Sequence, residues 1–115
     1  MDTKQAIAAL GALAQETRLE LFRLLVQHGP DGLRAGDIAE RLGVAPSSLS
    51  FHLQQLVFAG LITQRRLGRQ IIYAVAYDRM NGLMGYLTEN CCAGAACAPT
   101  AESCAPPARG RRAAS

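Results

Sequence analysis

One stretch of the chain decides its fold, and it reads PSSLSFHLQQLVF at residues 46–58. Pro46 suits the first turn of a helix, because the N–H that proline lacks would have no intrahelical partner there. Apolar residues then recur at i, i+4, i+7 and i+8, which predicts an amphipathic helix with one buried stripe. The residues of that stripe are Leu49, Leu53, Leu56 and Val57. Gly60 marks the end of the helix, just after Ala59.

The side of this helix opposite the stripe carries polar side chains and one aromatic ring. At about 100° per residue, the residues on that side are Ser47, Ser48, Phe51, Gln54 and Gln55. Hydroxyl and amide groups can bond base edges, and an aromatic ring can lie on a thymine methyl group. Ser50 and His52 lie at the borders, where they either reach phosphates or pack and bond locally. The pattern predicts a recognition helix that enters the major groove of DNA.

Four more helices and two strands surround the recognition helix in a recognisable order. The predicted helices are at about residues 3–14, 15–28, 35–42, 46–59 and 78–89, and the strands are at 61–65 and 70–75. Gly43 ends the short third helix, and Gly68 lies in the turn between the strands. This order predicts a mainly α fold with a small β-hairpin: a winged helix-turn-helix with about five helices and a two-stranded wing.

Apolar stripes also run along the first and last predicted helices. The stripe of the first helix is Ile7, Leu10 and Ala14. The stripe of the last helix is Met80, Leu83, Met84 and Leu87. Asp2 or Thr3 is expected to cap the first helix, and Asp78 is expected to cap the last one.

Positive charge is concentrated around the predicted wing. The chain has 12 Lys and Arg residues against 9 Asp and Glu, a net charge of +3. Residues 41–77 contain no acidic side chain, and Arg65, Arg66 and Arg69 surround the turn at Gly68. An acid-free basic segment favours contact with DNA phosphates, which carboxylates would repel. Chance clustering of charge and a solvated hairpin tip would give the same pattern.

Length and composition restrict the function classes. At 115 residues, half of them hydrophobic, the chain fits one domain with a substantial core. No apolar run is long enough to span a bilayer, and no secretory signal is recognised, so a cytoplasmic location is predicted. An enzyme is not expected, because no cysteine lies at a predicted helix N-terminus, where its pKa would fall, and no catalytic cluster is evident.

Four cysteines lie in the last quarter of the chain, at Cys91, Cys92, Cys97 and Cys104. Clustered cysteines in a cytosolic protein more often bind a metal or sense redox state than form a disulfide framework. The residues around them are rich in Ala, Pro and Gly and cannot build a core. The expected division is a helix-turn-helix domain at 1–90 and a flexible tail at 91–115.

These motifs together resemble the bacterial ArsR/SmtB family of metalloregulatory transcriptional repressors. The resemblance rests on residues 47–56, 59–62, 66–69, Tyr73 and 13–22, and it covers about residues 5–90. It implies a homodimer whose interface is formed by the first and last helices, so that 1–90 would also be the dimerisation domain. It further implies binding to double-stranded operator DNA and release of that DNA when an inducer binds.

Inducer sites differ among members of this family, and two of the known positions do not match this chain. Some arsenic sensors carry a Cys-x-Cys pair in the first helix of the helix-turn-helix, but residues 33–42 contain no cysteine. Zinc and cobalt sensors use Asp and His on the last helix, where this chain has Asp78 and Glu89 but no histidine. The tail instead resembles members with a C-terminal arsenite site, which implies a ligand set just after the last helix. That set is Cys91, Cys92 and Cys97, with Cys104 as a spare or a substitute ligand.

Thiolate chemistry agrees with an arsenite site in the tail, but it is also compatible with other inducers. Soft thiolates select thiophilic ions, and arsenite or antimonite binds three of them in a pyramid. A closed four-cysteine zinc site is less favoured, because adjacent cysteines are awkward there and the usual Cys-x₂-Cys pairs are missing. The same cysteines could bind another soft metal, or form a redox switch that pairs Cys97 or Cys104 with the vicinal cysteines. The chain could also be a protein that only binds DNA, with a tail that recruits a metallochaperone.

Overall fold

The computed structural model describes residues 1–94, in which five α-helices accompany a small antiparallel sheet. The helices are α1 Thr3–Leu13, α2 Glu16–His28, α3 Ala35–Leu42, α4 Pro46–Phe58 and α5 Tyr77–Leu87. The strands are β1 Leu33–Arg34, β2 Ile62–Leu67 and β3 Gln70–Val75, and a short turn at Cys91–Gly94 follows α5. This is the predicted winged helix-turn-helix, with α3 and α4 as the helix-turn-helix pair. None of the helices between residues 1 and 94 is long and apolar enough to cross a membrane.

The sheet has three strands, one more than the predicted two-stranded wing. β2 and β3 form the expected hairpin, in which Ile62 lies opposite Val75. β1 adds to the other side of β3, where Leu33 pairs with Tyr73 in antiparallel register. A strand of two residues is too short to show an alternation of side chains, so periodicity could not reveal it.

The first residues of α1 and α5 are both predicted to follow a capping side chain. Asp2 caps α1 as predicted: its Oδ1 accepts from the Gln5 N–H at 2.8 Å, and the Gln5 side chain accepts from the Asp2 N–H at 3.0 Å. The prediction that Asp78 caps the last helix is wrong. α5 begins one residue earlier, at Tyr77, with Ala76 in the cap position and Asp78 inside the first turn. A carboxylate in that turn still stabilises the helix, because it faces the positive end of the helix dipole.

The core is built mainly on α2, α3 and α4. The most completely buried large side chains are Leu21, Leu25, Ile38, Leu49, Leu53, Leu56 and Leu61. Three of them, Leu49, Leu53 and Leu56, form the predicted stripe of α4, and Val57 at its edge is half-buried. Burial of one leucine contributes about 1.5–3 kcal/mol. The stripe therefore sets the rotation of α4 about its own axis.

The side of α1 that faces the core is not the side that carries its predicted apolar stripe. Its buried residues are the small Ala6 and Ala9. Ile7 and Leu10 are 64% and 43% exposed, and Ala14 is exposed as well. The larger apolar side chains of α1 point away from the core, which indicates that a second packing partner would cover them.

The stripe of α5 is divided in a similar way. Leu83 is buried, whereas Met84 and Leu87 are 55% and 56% exposed. α5 lies beside α1, since the Thr3 hydroxyl and the Tyr86 hydroxyl are hydrogen-bonded at 2.5 Å. The four larger side chains left exposed on these two helices are called the outer apolar residues below. They are Ile7, Leu10, Met84 and Leu87.

Gly32, just before β1, provides a test of the three-stranded sheet. Its φ is +79°, and a Cβ there would lie 2.6 Å from the Tyr73 carbonyl oxygen and 2.7 Å from Cγ2 of Ile72. We expect Gly32→Ala to lower the free energy of unfolding by at least about 2 kcal/mol, because left-handed backbone strain adds to the steric clash. Thermal unfolding at fixed protein concentration should show a midpoint lower by roughly 8–16 °C.

Gly36→Ala is the matched control for this substitution. Gly36 lies in α3, and apart from its own helix nothing lies within 4 Å of its Cβ position. Alanine there should leave the free energy of unfolding unchanged or raise it by up to about 1 kcal/mol. Equal midpoints for Gly32→Ala and the unaltered protein would contradict the close approach of Gly32 to β3.

Candidate DNA-binding face and inducer site

α4 presents the predicted polar side to the surface. Ser47, Ser48, Gln54 and Gln55 are exposed, and Phe51 is 58% exposed. All five lie opposite the buried leucines, as the helical period predicts. Covering an exposed aromatic ring with a partner lowers the free energy, because apolar surface is removed from water. This side of α4 is therefore suited to contact with another macromolecule.

Phe58 extends this side to the end of α4, and it is absent from the predicted DNA-binding residues. It is 95% exposed and follows Phe51 by seven residues, which is close to two full helical turns. The signal for it is present in the sequence, because residues at i and i+7 share one side of a helix. The outward side of α4 thus carries two aromatic rings about 10 Å apart along the axis.

His52, at one border of this side, is hydrogen-bonded within the protein. Its Nδ1 lies 3.3 Å from Nη1 of Arg18, a residue that periodicity did not single out. Its ring meets the Phe51 ring at an angle of 65°, with centroids 5.7 Å apart. Ser50, at the other border, is exposed. Local bonding and phosphate contact were both open for His52; the structure adds the local bond, and DNA contact stays a prediction.

The wing places its three arginines differently. The side chains of Arg66 and Arg69 are exposed and form no hydrogen bond or ion pair with any residue between 1 and 94. Arg65 is also exposed, but its Nη2 donates to the carbonyl oxygen of Asp31 at 2.9 Å. Gly68, with φ +65°, is the first of the two turn residues and allows a tight hairpin. Arg66 and Arg69 are available to phosphates, whereas Arg65 also ties the wing to the loop before β1.

A groove of about 510 Å³ separates the start of α3 from the wing, and Arg34 bridges it. The Arg34 guanidinium donates to Asp37 on α3 at 3.1 Å and to the side-chain oxygen of Gln70 on β3 at 3.2 Å. The ion pair of Arg34 and Asp37 is partly exposed, so it contributes at most about 1 kcal/mol. The hydrogen bond from Arg34 to Gln70 adds a direct contact between the residue that precedes α3 and the wing.

The predicted inducer residues begin directly after α5. Cys91 is half-buried and its N–H donates to the Thr88 carbonyl oxygen at 3.0 Å, whereas Cys92 is exposed. Cys92 is disulfide-bonded, so its sulfur becomes a thiolate ligand only after reduction. Cys97 and Cys104 lie outside the described residues. The predicted set of three thiolates therefore stays a prediction.

Left-handed backbone marks this segment. Asn90, Cys92 and Ala93 have φ values of 57°, 54° and 55°. For Cys92 and Ala93 this conformation costs roughly 1–2 kcal/mol each, whereas asparagine adopts it more readily, and such strain often accompanies functional sites. Between residues 1 and 94, no three His, Cys, Asp or Glu side chains are grouped in a way that could hold a metal ion.

Known proteins share both the sequence and the architecture of this chain. Residues 13–65 match the family model of a helix-turn-helix domain. The arsenical resistance operon repressor of Bacillus subtilis (strain 168) is 37% identical over 81 residues, which cover 70% of this chain and 73% of that repressor.

Two solved structures show the same fold. An ArsR-like transcriptional regulator from Rhodococcus sp. RHA1 superposes with a TM-score of 0.67 at 27% identity, covering 79% of this chain and 82% of that regulator. A homodimeric winged helix-turn-helix DNA-binding domain of a possible ArsR-family regulator from Mycobacterium bovis superposes with a TM-score of 0.61 at 29% identity, covering 76% and 81%. The relatives and the fold are those of DNA-binding regulators and not of enzymes. The chain therefore belongs to the ArsR family of winged helix-turn-helix transcriptional regulators.

Proposed function

We propose that this regulator is a homodimeric repressor that binds operator DNA and is released when trivalent arsenic binds Cys91, Cys92 and Cys97. The observation that carries the proposal is the outward side of α4, where exposed polar side chains lie opposite three buried leucines. Residues 1–90 then hold the DNA and the second chain, and residues 91–115 hold the inducer. The protein acts in the cytoplasm, where its DNA is.

The DNA contacts divide into base readout and phosphate contact. The residues of α4 proposed to face base edges are Ser47, Ser48, Phe51, Gln54 and Gln55. The residues proposed to face phosphates or the adjacent minor groove are Ser50, His52, Arg65, Arg66 and Arg69. The absence of Asp and Glu from residues 41–77 leaves this surface without carboxylates that would repel the duplex.

Gln54→Ala tests the recognition side of α4. Loss of an amide that bonds a base edge should weaken operator binding by about 5- to 150-fold, which corresponds to about 1–3 kcal/mol. Fluorescence anisotropy on DNA from upstream of the gene, at fixed salt concentration, measures this change. Affinity for unrelated DNA should change little, because the phosphate contacts are retained.

Gln27→Ala is the matched control, since Gln27 is also an exposed glutamine but lies on α2. Its affinity for the operator should equal that of the unaltered protein. Equal losses in the two variants, or no loss in Gln54→Ala, would contradict the assignment of this side of α4 to DNA.

The outer apolar residues support a homodimer through α1 and α5. Ile7 and Met84 are both more than half exposed, on helices joined by the Thr3–Tyr86 hydrogen bond. Large apolar side chains left exposed on two neighbouring helices favour burial against a second copy, and the related domain from Mycobacterium bovis is homodimeric. Two-fold symmetry would also place two α4 helices for half-sites one DNA turn apart.

Ile7→Glu tests this interface. A two-fold interface contains each substitution twice, and an unpaired buried charge costs several kcal/mol, so the dimer dissociation constant should rise by at least about 100-fold. Light scattering after size exclusion reports the mass. Leu67→Glu is the matched control, because Leu67 is 58% exposed on the wing, and it should remain dimeric. A monomeric unaltered protein or a dimeric Ile7→Glu variant would argue against the interface.

The position of Cys91 and Cys92 connects the inducer to the dimer. They follow α5 directly, and α5 is joined to α1 through Tyr86 and Thr3. Coordination at this point fixes the end of a helix in the proposed interface, which can change the angle between the two α4 helices. A coupling free energy of about 1–3 kcal/mol changes DNA affinity by about 5- to 150-fold. The arsenical resistance repressor of Bacillus subtilis supports arsenic as the signal; antimonite shares its chemistry, and zinc is less favoured.

Cys91→Ser and Cys92→Ser should each abolish release of operator DNA by arsenite, because a hydroxyl is a far harder ligand than a thiolate. Anisotropy of the preformed complex is followed during titration with arsenite, antimonite and zinc, with the protein fully reduced. Cys104→Ser is the control and should respond as the unaltered protein does. Release by arsenite that survives Cys91→Ser would place the arsenic site elsewhere.

A redox-responsive repressor is the second candidate, favoured by the disulfide bond of Cys92. In that case peroxide releases the operator, arsenite does not, and a thiol reductant restores binding. Titration of both agents into the same complex separates the two candidates.

A further inference from the structure

Arg18 occupies an unusual place for a cation. It lies in the first turn of α2, where the helix dipole disfavours positive charge, and it is half-buried. A guanidinium has five N–H donors and accepts nothing, so a half-buried one needs acceptors around it. The acceptors that hold Arg18 belong to two different helices, α1 and α4.

Its Nε donates to the carbonyl oxygen of Ala12, near the end of α1, at 2.6 Å. Its Nη1 lies 3.3 Å from Nδ1 of His52 on α4. In the part of the chain that the structure describes, no second side chain is hydrogen-bonded to both α1 and α4. Arg18 thus joins the helix of the proposed dimer interface to the helix of the proposed DNA interface.

The pairing with Arg18 determines where the proton of His52 sits. A guanidinium stays protonated and only donates, so Nδ1 must accept. A neutral imidazole whose Nδ1 accepts carries its proton on Nε2. Within residues 1–94 the ring has no further hydrogen-bond partner, so none of the described residues uses the Nε2–H and it can donate to a ligand.

We infer that Arg18 is a positioning residue that holds His52 in the Nε2–H tautomer, from which the ring donates to a phosphate oxygen of the operator. The Phe51 ring lies edge-on to the His52 ring, with the ring centroids 5.7 Å apart. The inference rests on the proposed binding of DNA by α4. Because the same guanidinium also bonds Ala12, a movement of α1 reaches His52 through a single side chain.

Nitrogen-15 NMR of histidine-labelled protein tests the tautomer without DNA. The chain has two histidines, and the exposed His28 at the end of α2 is an internal reference. At about pH 8.5, where imidazole is neutral in model peptides, we expect His52 to be almost entirely Nε2–H. Arg18→Lys keeps the charge but lacks the fork of donors, so His52 should shift towards the tautomer mixture of His28. An unchanged His52 in Arg18→Lys, or an Nδ1–H tautomer in the unaltered protein, would overturn the inference.

Two amide substitutions separate the roles of the two ring nitrogens. His52→Asn keeps an acceptor near the position of Nδ1 and removes the donor, so it should fold normally and bind the operator about tenfold more weakly. His52→Gln keeps a donor near the position of Nε2 and should retain more affinity than His52→Asn. Measured at about pH 8.5, where imidazole is neutral in model peptides, the slope of log affinity against log salt should not change in either variant, because a neutral group displaces no counterion.

Arg18→Lys should weaken operator binding by about the same factor as His52→Asn. Arg23→Lys is the matched control, because Arg23 is exposed on the same helix, and it should change neither the tautomer nor the affinity. If Arg18→Lys lowers the thermal midpoint, the comparison of the two His52 variants still decides, since both retain Arg18.

These outcomes separate the inference from the proposed function. If Gln54→Ala weakens operator binding and His52→Asn does not, α4 reads DNA but His52 makes no contact there, and the inference is wrong. If neither variant changes affinity, the proposed DNA side of α4 is wrong and the inference fails with it. Loss of affinity in His52→Asn and Arg18→Lys, with the tautomer shift in Arg18→Lys, supports both.

Discussion

Burial of Leu49, Leu53 and Leu56 is the constraint on which the rest of this structure depends. Each is at most 1% exposed, and a turn of α4 by one residue, about 100°, would move all three out of the core. At about 1.5–3 kcal/mol per leucine, that rotation costs a free energy comparable with the net stability of many small domains. The side chains opposite the leucines therefore have one available direction, and it is outward.

α1 connects the two ends of the proposed regulatory route. At its start it is hydrogen-bonded to α5 through Thr3 and Tyr86, and near its end its Ala12 carbonyl oxygen accepts from Arg18, which also contacts α4. The residues that α1 buries are alanines, so the helix lies close to the core while its larger apolar side chains stay outside. α1 would therefore contact the second chain of the proposed dimer with its outer side, while its Ala12 carbonyl oxygen is connected to α4 through Arg18.

The cysteines proposed as inducer ligands lie close to the end of α5, and α5 is hydrogen-bonded to α1. Cys91 and Cys92 lie four and five residues after Leu87, the last residue of α5, with no helix or strand in between. In the proposed mechanism an ion bound by these thiolates acts on the end of α5 and does not contact the outward side of α4. The proposed DNA-binding face and the proposed inducer residues therefore lie on different elements, and among the described residues α5 and α1 lie between them.

The amino-acid sequence by itself determined the extent of α4 from Pro46, the outward position of Gln54 and the hairpin at Gly68, because these follow from the helical period and from turn chemistry. It also carried the signal for Phe58, which shares the side of Phe51. Tertiary structure decided which of the two apolar sides of α1 is buried, because periodicity defines a side but not its partner. It also decided the third strand, the bond between Arg18 and His52 and the anchoring of Arg65 by Asp31. These contacts join residues 34 or more positions apart, and no local pattern encodes an approach that only the packed core creates.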